Sequence, residues 1–292
     1  MIIAIASGKG GTGKTTVCAS LAAVWKGPVQ AVDLDVEEPN LHLFLNPRMQ
    51  GSQTAYLEVP EIDESCCNYC GACSDLCQFK AISVMGQVIL TFAEMCHGCG
   101  GCFAVCTTGA LSPATRVLGE IRQGQAGDID FLMGDLRIGE ALSPPLIREV
   151  QARLRSHLAE TGRDALIDCP PGASCPALTA VRPADAIVLV TEPTPFGLND
   201  LKAIRQAVAG MGKPIGVVIN RAGIGDGRVR DYCRATALPV LAEIPFDSRI
   251  TAISEPKAAA AALAEVCGNE LGRLVDGIHG LIAAGTQGAA HG

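Results

Sequence analysis

The opening of the chain leaves little choice of local structure. Residues 2–6 (Ile-Ile-Ala-Ile-Ala) form a short apolar run that leads directly into Ser7-Gly8-Lys9-Gly10-Gly11-Thr12-Gly13-Lys14-Thr15-Thr16, and residues 15–25 then carry a helical pattern. From Gly8 to Thr15 the order is glycine, four residues, then Gly-Lys-Thr. Such a loop has to be followed by a helix start, because its glycines turn backbone N–H groups toward a phosphate while the helix presents its positive end. The spacing predicts that the loop from Gly8 through Gly10, Gly11, Thr12 and Gly13 cradles phosphates. Lys14 would then reach the β- and γ-phosphates, and the Thr15 hydroxyl, beside Thr16, would hold magnesium.

The remaining pattern fits that start. Residues 29–33, 165–168, 186–191 and 215–220 are compact runs rich in Val, Ile, Leu or Ala, and residues 146–160, 198–211 and 229–235 read as helices between them. Strands buried on both faces and alternating with helices predict an α/β fold, a mostly parallel sheet with helices on both sides. The same glycines also satisfy a dinucleotide fingerprint, Gly8-x-Gly10-x-x-Gly13, with Asp33 placed 20 residues beyond Gly13 as a ribose-binding acid would be. Lys14-Thr15-Thr16 and a second strand-end carboxylate, Asp168, favour the triphosphate reading.

The rhythm breaks over residues 58–111, where Cys67, Cys70, Cys73 and Cys77 are each answered 29 positions later by Cys96, Cys99, Cys102 and Cys106. A duplicated unit inside an α/β chain predicts an inserted α+β domain at 58–111, with residues 1–57 and 112–292 forming the discontinuous remainder. The spacing, two, two and three residues between cysteines, is that of ferredoxins with two 4Fe-4S clusters, in which the fourth thiolate ligates the other cluster. The expected sets are Cys67, Cys70, Cys73 and Cys106 for one cluster, and Cys96, Cys99, Cys102 and Cys77 for the other. Structural zinc more often draws on two separated knuckles. The proline usual after the fourth cysteine is Gln78 in one copy and Thr107 in the other. Within 58–106 there are six carboxylates, Glu58, Glu61, Asp63, Glu64, Asp75 and Glu94, against Lys80 alone, a surface suited to a basic redox partner.

The loop with its extra Lys9 resembles the deviant phosphate loop of the MinD/ParA family, and the whole pattern resembles superfamily ATPases carrying an inserted two-cluster ferredoxin domain. The resemblance implies ATP and Mg2+ as ligands and a pairing of subunits, homodimeric or with a paralogue, in which Lys9 contacts the opposing subunit's nucleotide. It assigns Asp35, in Asp33-Leu34-Asp35, to orienting the attacking water. Asp168 and Gly172, in Asp168-Cys169-Pro170-Pro171-Gly172, fall in the second nucleotide-sensing segment, with Asp168 on the magnesium side. Asn220 matches the adenine-reading position, and Pro245 a segment that closes the site. The expected activity is ATP hydrolysis that gates electron transfer to a redox partner; the alternatives are delivery of clusters to an acceptor protein and positioning of cellular cargo.

A net charge of −7 argues against nucleic-acid or anionic-membrane partners. Residues 271–282 are mildly amphipathic, but Arg273 is their only basic residue of fixed charge, poor for membrane association. No apolar run is long enough to span a bilayer and no signal-like start is present, so a cytoplasmic chain is expected. Cys66 reads as a bystander and Cys18, Cys233 and Cys267 as core; Cys169 and Cys175 read as packed residues rather than a metal site. The small, polar residues 285–292 are expected to fray.

Overall fold

In the computed structural model, which describes residues 1–251 and 253–289, the run after Met1 is strand β1 (Ile2–Ala6). It is followed by α1 (Lys14–Val24), β2 (Val29–Asp33), α2 (Leu41–Leu45) and β3 (Arg48–Ile62). Next come α3 (Ala72–Leu76), β4 (Ile82–Met85), β5 (Val88–Thr91), α4 (Gly101–Val105), β6 (Leu111–Ala126), β7 (Ile129–Leu136) and α5 (Ser143–Thr161). The chain continues with β8 (Asp164–Asp168), α6 (Cys175–Val181), β9 (Ala186–Thr191), α7 (Pro195–Val208), β10 (Ile215–Ala222) and α8 (Arg228–Ala235). It ends with β11 (Val240–Pro245), α9 (Ser248–Thr251), α10 (Pro256–Val266) and α11 (Gly268–Ala289).

Two compact units result: Met1–Ser52 with Ile121–Asp135 and 147 onward, and Gln53–Glu120 with Leu136–Leu146. The interval 58–111 lies inside the second. The nine-stranded sheet has the order β11-β10-β9-β1-β8-β2-β7-β6-β3, and β3 and β6 each run from one unit into the other. β1 pairs in parallel with β8 and β9, β2 with β8 and β7, and β10 with β9 and β11. The central strands are apolar on both faces because helices cover both. Val17 and Leu21 of α1 share a fully buried core with Ile3 and Ile5 of β1, Val188 of β9, and Leu271, Leu274 and Ile278 of α11. Cys18, Cys233 and Cys267 are buried, as their core reading requires. The polar 285–292 stretch departs from expectation: α11 runs through Ala289, and residues 290–292 lie outside the described residues.

The second unit is built twice over. A short 3-10 turn, Glu64–Cys66, and helix α3 are repeated as Ala93–Met95 and α4, with Gly71 (φ 81°) and Gly100 (φ 71°) entering the two helices in the left-handed region. The backbone bonds between copies are reciprocal: Asp63 N–H donates to the Ala110 carbonyl and Phe92 N–H to that of Ala81, both at 2.8 Å. The copies therefore clasp each other about a local two-fold, which explains why the sequence repeats at a fixed offset. β4 and β5 form a separate antiparallel pair. Among the described residues no helix is long and apolar enough to cross a membrane.

Candidate functional site

The phosphate loop joins β1 to α1 at the carboxyl edge of the parallel strands, where open α/β sheets bind ligands. Gly13 (φ 84°) is the N-cap of α1, no side chain caps the helix, and its first turn has no acid, so its N–H groups are free to meet an anion. Two glycines are required by close approach. A Cβ on Gly8 would stand 2.2 Å from the Asp200 carbonyl oxygen, and one on Gly13 would stand 2.3 Å from Asn220 Nδ2. That amide donates to the Thr12 carbonyl at 2.7 Å, tying β10 to the loop. Gly172, with φ 89°, donates its N–H to the Ser7 carbonyl at 2.9 Å, so the segment after β8 is latched to the loop as well.

Charges concentrate beneath the loop. Lys14 Nζ lies 2.5 Å from Asp168 Oδ1, and Thr15 Oγ1 donates to Asp168 Oδ2 at 2.7 Å; Lys14 and Asp168 are both buried. Burial opposes the Lys14 charge, yet attraction to Asp168 outweighs it and the ammonium pKa is raised. Asp33 is fully buried and accepts the N–H groups of Asp35 (3.0 Å) and Leu41 (2.8 Å). Both its oxygens serve the backbone, so it shapes the loop instead of meeting a ribose. Burial, reinforced by Asp168, pushes its pKa well up. Asp35 is half-buried at the end of β2, and burial raises its carboxyl to about 6 against the attraction of Lys14. Beside the Lys14 ammonium, the Asp168 carboxylate and the Thr15 hydroxyl are hard oxygen donors of the kind a small divalent cation takes.

Lys9, half exposed, reaches Glu192 Oε2 at 3.5 Å and Asp200 Oδ2 at 4.0 Å within its own chain. Glu192 also holds Arg221. These acids were not among the expected site residues, although Glu192 follows the apolar β9 as Asp168 closes β8, the same signal. Beside the loop, a cavity of about 300 Å³ is lined by Gly13, Thr16, Phe44, Asn220, Arg221 and Pro245, among others. The expected loop residues, Asp35, Asp168, Gly172, Asn220 and Pro245 thus gather around one end of one sheet. Cys169, beneath them, is fully buried, which pushes its thiol pKa up, while Cys175 is exposed at the start of α6.

The cysteines of the second unit sort into two recesses. Cys67, Cys70, Cys73 and Cys106 line one, with Val84 and Ile89. Cys77, Cys96, Cys99 and Cys102 line the other, of about 300 Å³, which Cys73 also borders. In each, the fourth thiol comes from the other copy. Tyr69 N–H points at Cys67 Sγ and Gly98 N–H at Cys96 Sγ, each at 3.4 Å, matched bonds 29 residues apart. Among the described residues no three His, Cys, Asp or Glu side chains converge on the spacing of a single ion. In the same unit, Arg116 and Glu140 form a part-buried ion pair extended by Glu94 and Arg137 (Arg137 to Glu94 2.8 Å), a network that sequence spacing gave no sign of.

Residues 3–258 match the model of the CobQ/CobB/MinD/ParA nucleotide binding domain. An uncharacterized protein of Methanocaldococcus jannaschii, MJ0578, is 34% identical over 229 residues, covering 77% of this chain and 80% of its own. An uncharacterized ATP-binding protein of the same organism, MJ0169, is 27% identical over 256 residues, 86% of this chain and 76% of its own. Among solved structures, the septum site-determining protein MinD of Pyrococcus horikoshii, complexed with Mg-ADP, has a TM-score of 0.60 at 22% identity, covering 97% of this chain and 98% of that one. The Pyrococcus furiosus cell division ATPase MinD has a TM-score of 0.57 at 23% identity, covering 96% and 98%. With the phosphate loop, the buried Lys14–Asp168 pair and the parallel sheet in place, the chain belongs to the CobQ/CobB/MinD/ParA nucleotide-binding family, with a P-loop fold like that of the MinD structures.

Proposed function

We propose that this chain hydrolyses ATP and uses nucleotide-dependent pairing of two subunits to gate one-electron transfer through two 4Fe-4S clusters in its second unit. The observation that carries the reading is the sorting of eight thiols into two recesses, each completed by a cysteine of the other copy.

Lys14 and the loop N–H groups bind the phosphates, exchanging the Asp168 contact for a phosphate oxygen. Thr15 and Asp168 would hold Mg2+, which supplies charge neutralisation to the phosphates. Asp35, ionised above its raised pKa, orients the attacking water. Asn220 and Pro245 flank the base. The Lys9 contacts, at 3.5 and 4.0 Å and part exposed, are weak enough to be given up for a partner subunit's nucleotide. The homodimer and a pair with a paralogue are both compatible with that role. Cys67, Cys70, Cys73 and Cys106 would hold one cluster, and Cys77, Cys96, Cys99 and Cys102 the other; each cluster supplies a one-electron redox centre. The corners of a cubane stand apart, so its ligands need not converge as those of a single ion do. Val84 and Ile89 shield the first recess from water.

Anaerobic purification tests this. The expected yield is about eight iron and eight sulfide per chain, with spin signals on reduction. Lys14→Ala should abolish ATP turnover and leave those signals intact. Zinc in place of iron, or turnover by the variant, overturns the reading. A second reading, delivery of clusters to an acceptor, is favoured by the exposure of Cys70 and Cys99, one in each recess. Loss of iron to an apo-acceptor would select delivery, and retention selects electron transfer.

A further inference from the structure

The β4–β5 hairpin has two unlike faces. Its register sets Met85 opposite Val88 and Ser83 opposite Leu90, while Ile82 and Val84 pair with Thr91 and Ile89 on the other side. The inner face is buried, Ile82 at 1% and Ile89 at 5% exposure, and it roofs the cysteines: Ile82 lines one recess, and Val84 and Ile89 the other. The outer face is apolar and open, with Met85 62%, Val88 51% and Leu90 42% exposed. No charged residue occurs between 81 and 93. Among the described residues these two strands pair only with each other, so an apolar face with two free edges faces solvent. Surfaces of this kind mark interaction sites, since leaving them bare invites non-specific association.

We infer that this outer face is the docking surface for a one-electron redox protein whose contact patch is apolar with a basic rim. The inference rests on the cluster reading above. Charge decides the occupant. Between residues 58 and 94 six exposed carboxylates stand against Lys80 as the single basic residue of that stretch, with Glu94 also meeting Arg116 and Arg137, so a basic partner is steered in and a second copy of this acidic unit is repelled. Position decides the purpose, because a protein seated there is separated from both recesses by a single sheet layer, roughly 10 Å thick. In the step, the reduced chain loses one electron and the oxidised one-electron centre of the partner gains it; no bond is made or broken and no proton moves.

The test uses the full chain, reduced by dithionite without oxygen and freed of excess reductant, with ferricytochrome c as the basic haem probe. The triple variant Met85→Gln, Val88→Thr, Leu90→Gln keeps the inner face and adds no charge. Its second-order rate of cytochrome reduction should fall about tenfold or more, while iron content, spin signals and ATP turnover match the parent. An unchanged rate with full iron content refutes the surface. So does an unchanged rate accompanied by loss of self-association in sedimentation, which would assign the face to a second copy. A parent chain lacking iron refutes the cluster reading itself, and this inference with it.

Discussion

Replacing Lys14 by Met removes the one ammonium from a pocket that also holds Asp33, Asp35 and Asp168, while keeping most of the packing. Lys14 and Asp168 are 6% and 1% exposed and Asp33 is fully buried, so water cannot compensate for the lost charge. Removing one partner of a buried ion pair typically costs about 3–5 kcal/mol, and here at the upper end, since two further carboxylates face the gap. The penalty exists only while the carboxylates are ionised. Asp33 and Asp35 already have raised pKa values in the intact chain, Asp35 at about 6, and losing the attraction of Lys14 raises them further. Groups with folded pKa above the unfolded value near 3.9 take up protons on folding, so the variant gains stability relative to the parent as pH falls through 6. Urea unfolding in nucleotide-free buffer, followed by the fluorescence of Trp25, the only tryptophan and part of the first unit's core, reads this directly. A deficit under about 1 kcal/mol at pH 7.5, or one that does not shrink toward pH 5, would refute the charge-burial argument.

Three further outcomes follow. The acid limb of kcat/KM for ATP hydrolysis should have a midpoint near pH 6, because Asp35 must be ionised to orient water, and Asp35→Asn should abolish turnover at every pH while nucleotide still binds. Gly8→Ala, whose methyl would sit 2.2 Å from the Asp200 carbonyl, should displace the loop and weaken nucleotide binding about tenfold or more, read by calorimetry. Cys77→Ala and Cys106→Ala should each lose one cluster, about four irons; if Cys77→Ala removes the signal of the cluster on its own repeat's Cys67, Cys70 and Cys73, the crossed assignment is wrong.

The fold was legible where strands are buried on both faces. Residues 2–6 and 186–190 are continuous apolar runs and 29–33 is a short run interrupted by Gln30, and 2–6, 29–33 and 186–191 became β1, β2 and β9. β3 and β6 were not legible. The first half of β3, Arg-Met-Gln-Gly-Ser-Gln, is exposed, and only Ala55, Leu57 and Val59 alternate inward, so no period marks it before the chain folds. The phosphate loop and the cysteine ladders were readable because their chemistry is contiguous or repeats at a fixed offset. Glu192 and Asp200 beside Lys9, and Glu140 beside Arg116, come from distant segments, and a pairing made by tertiary folding leaves no mark in spacing. Asp33 shows a subtler gap: its type and position invite a ligand role, but its carboxylate is consumed by two backbone amides.

The way the second unit is threaded bears on how much chain the sheet can carry. β3 and β6 are neighbours in the sheet, and Gly124 packs against the backbone at Arg48, so the points where the chain departs and returns are already stitched together. Lengthening a loop whose ends are held adds little closure entropy, growing only with the logarithm of its length. A tight reverse turn at this place would serve the sheet as well as the long excursion does. A nucleotide-binding scaffold could therefore carry a segment of this length between β3 and β6 at little cost to closing the chain.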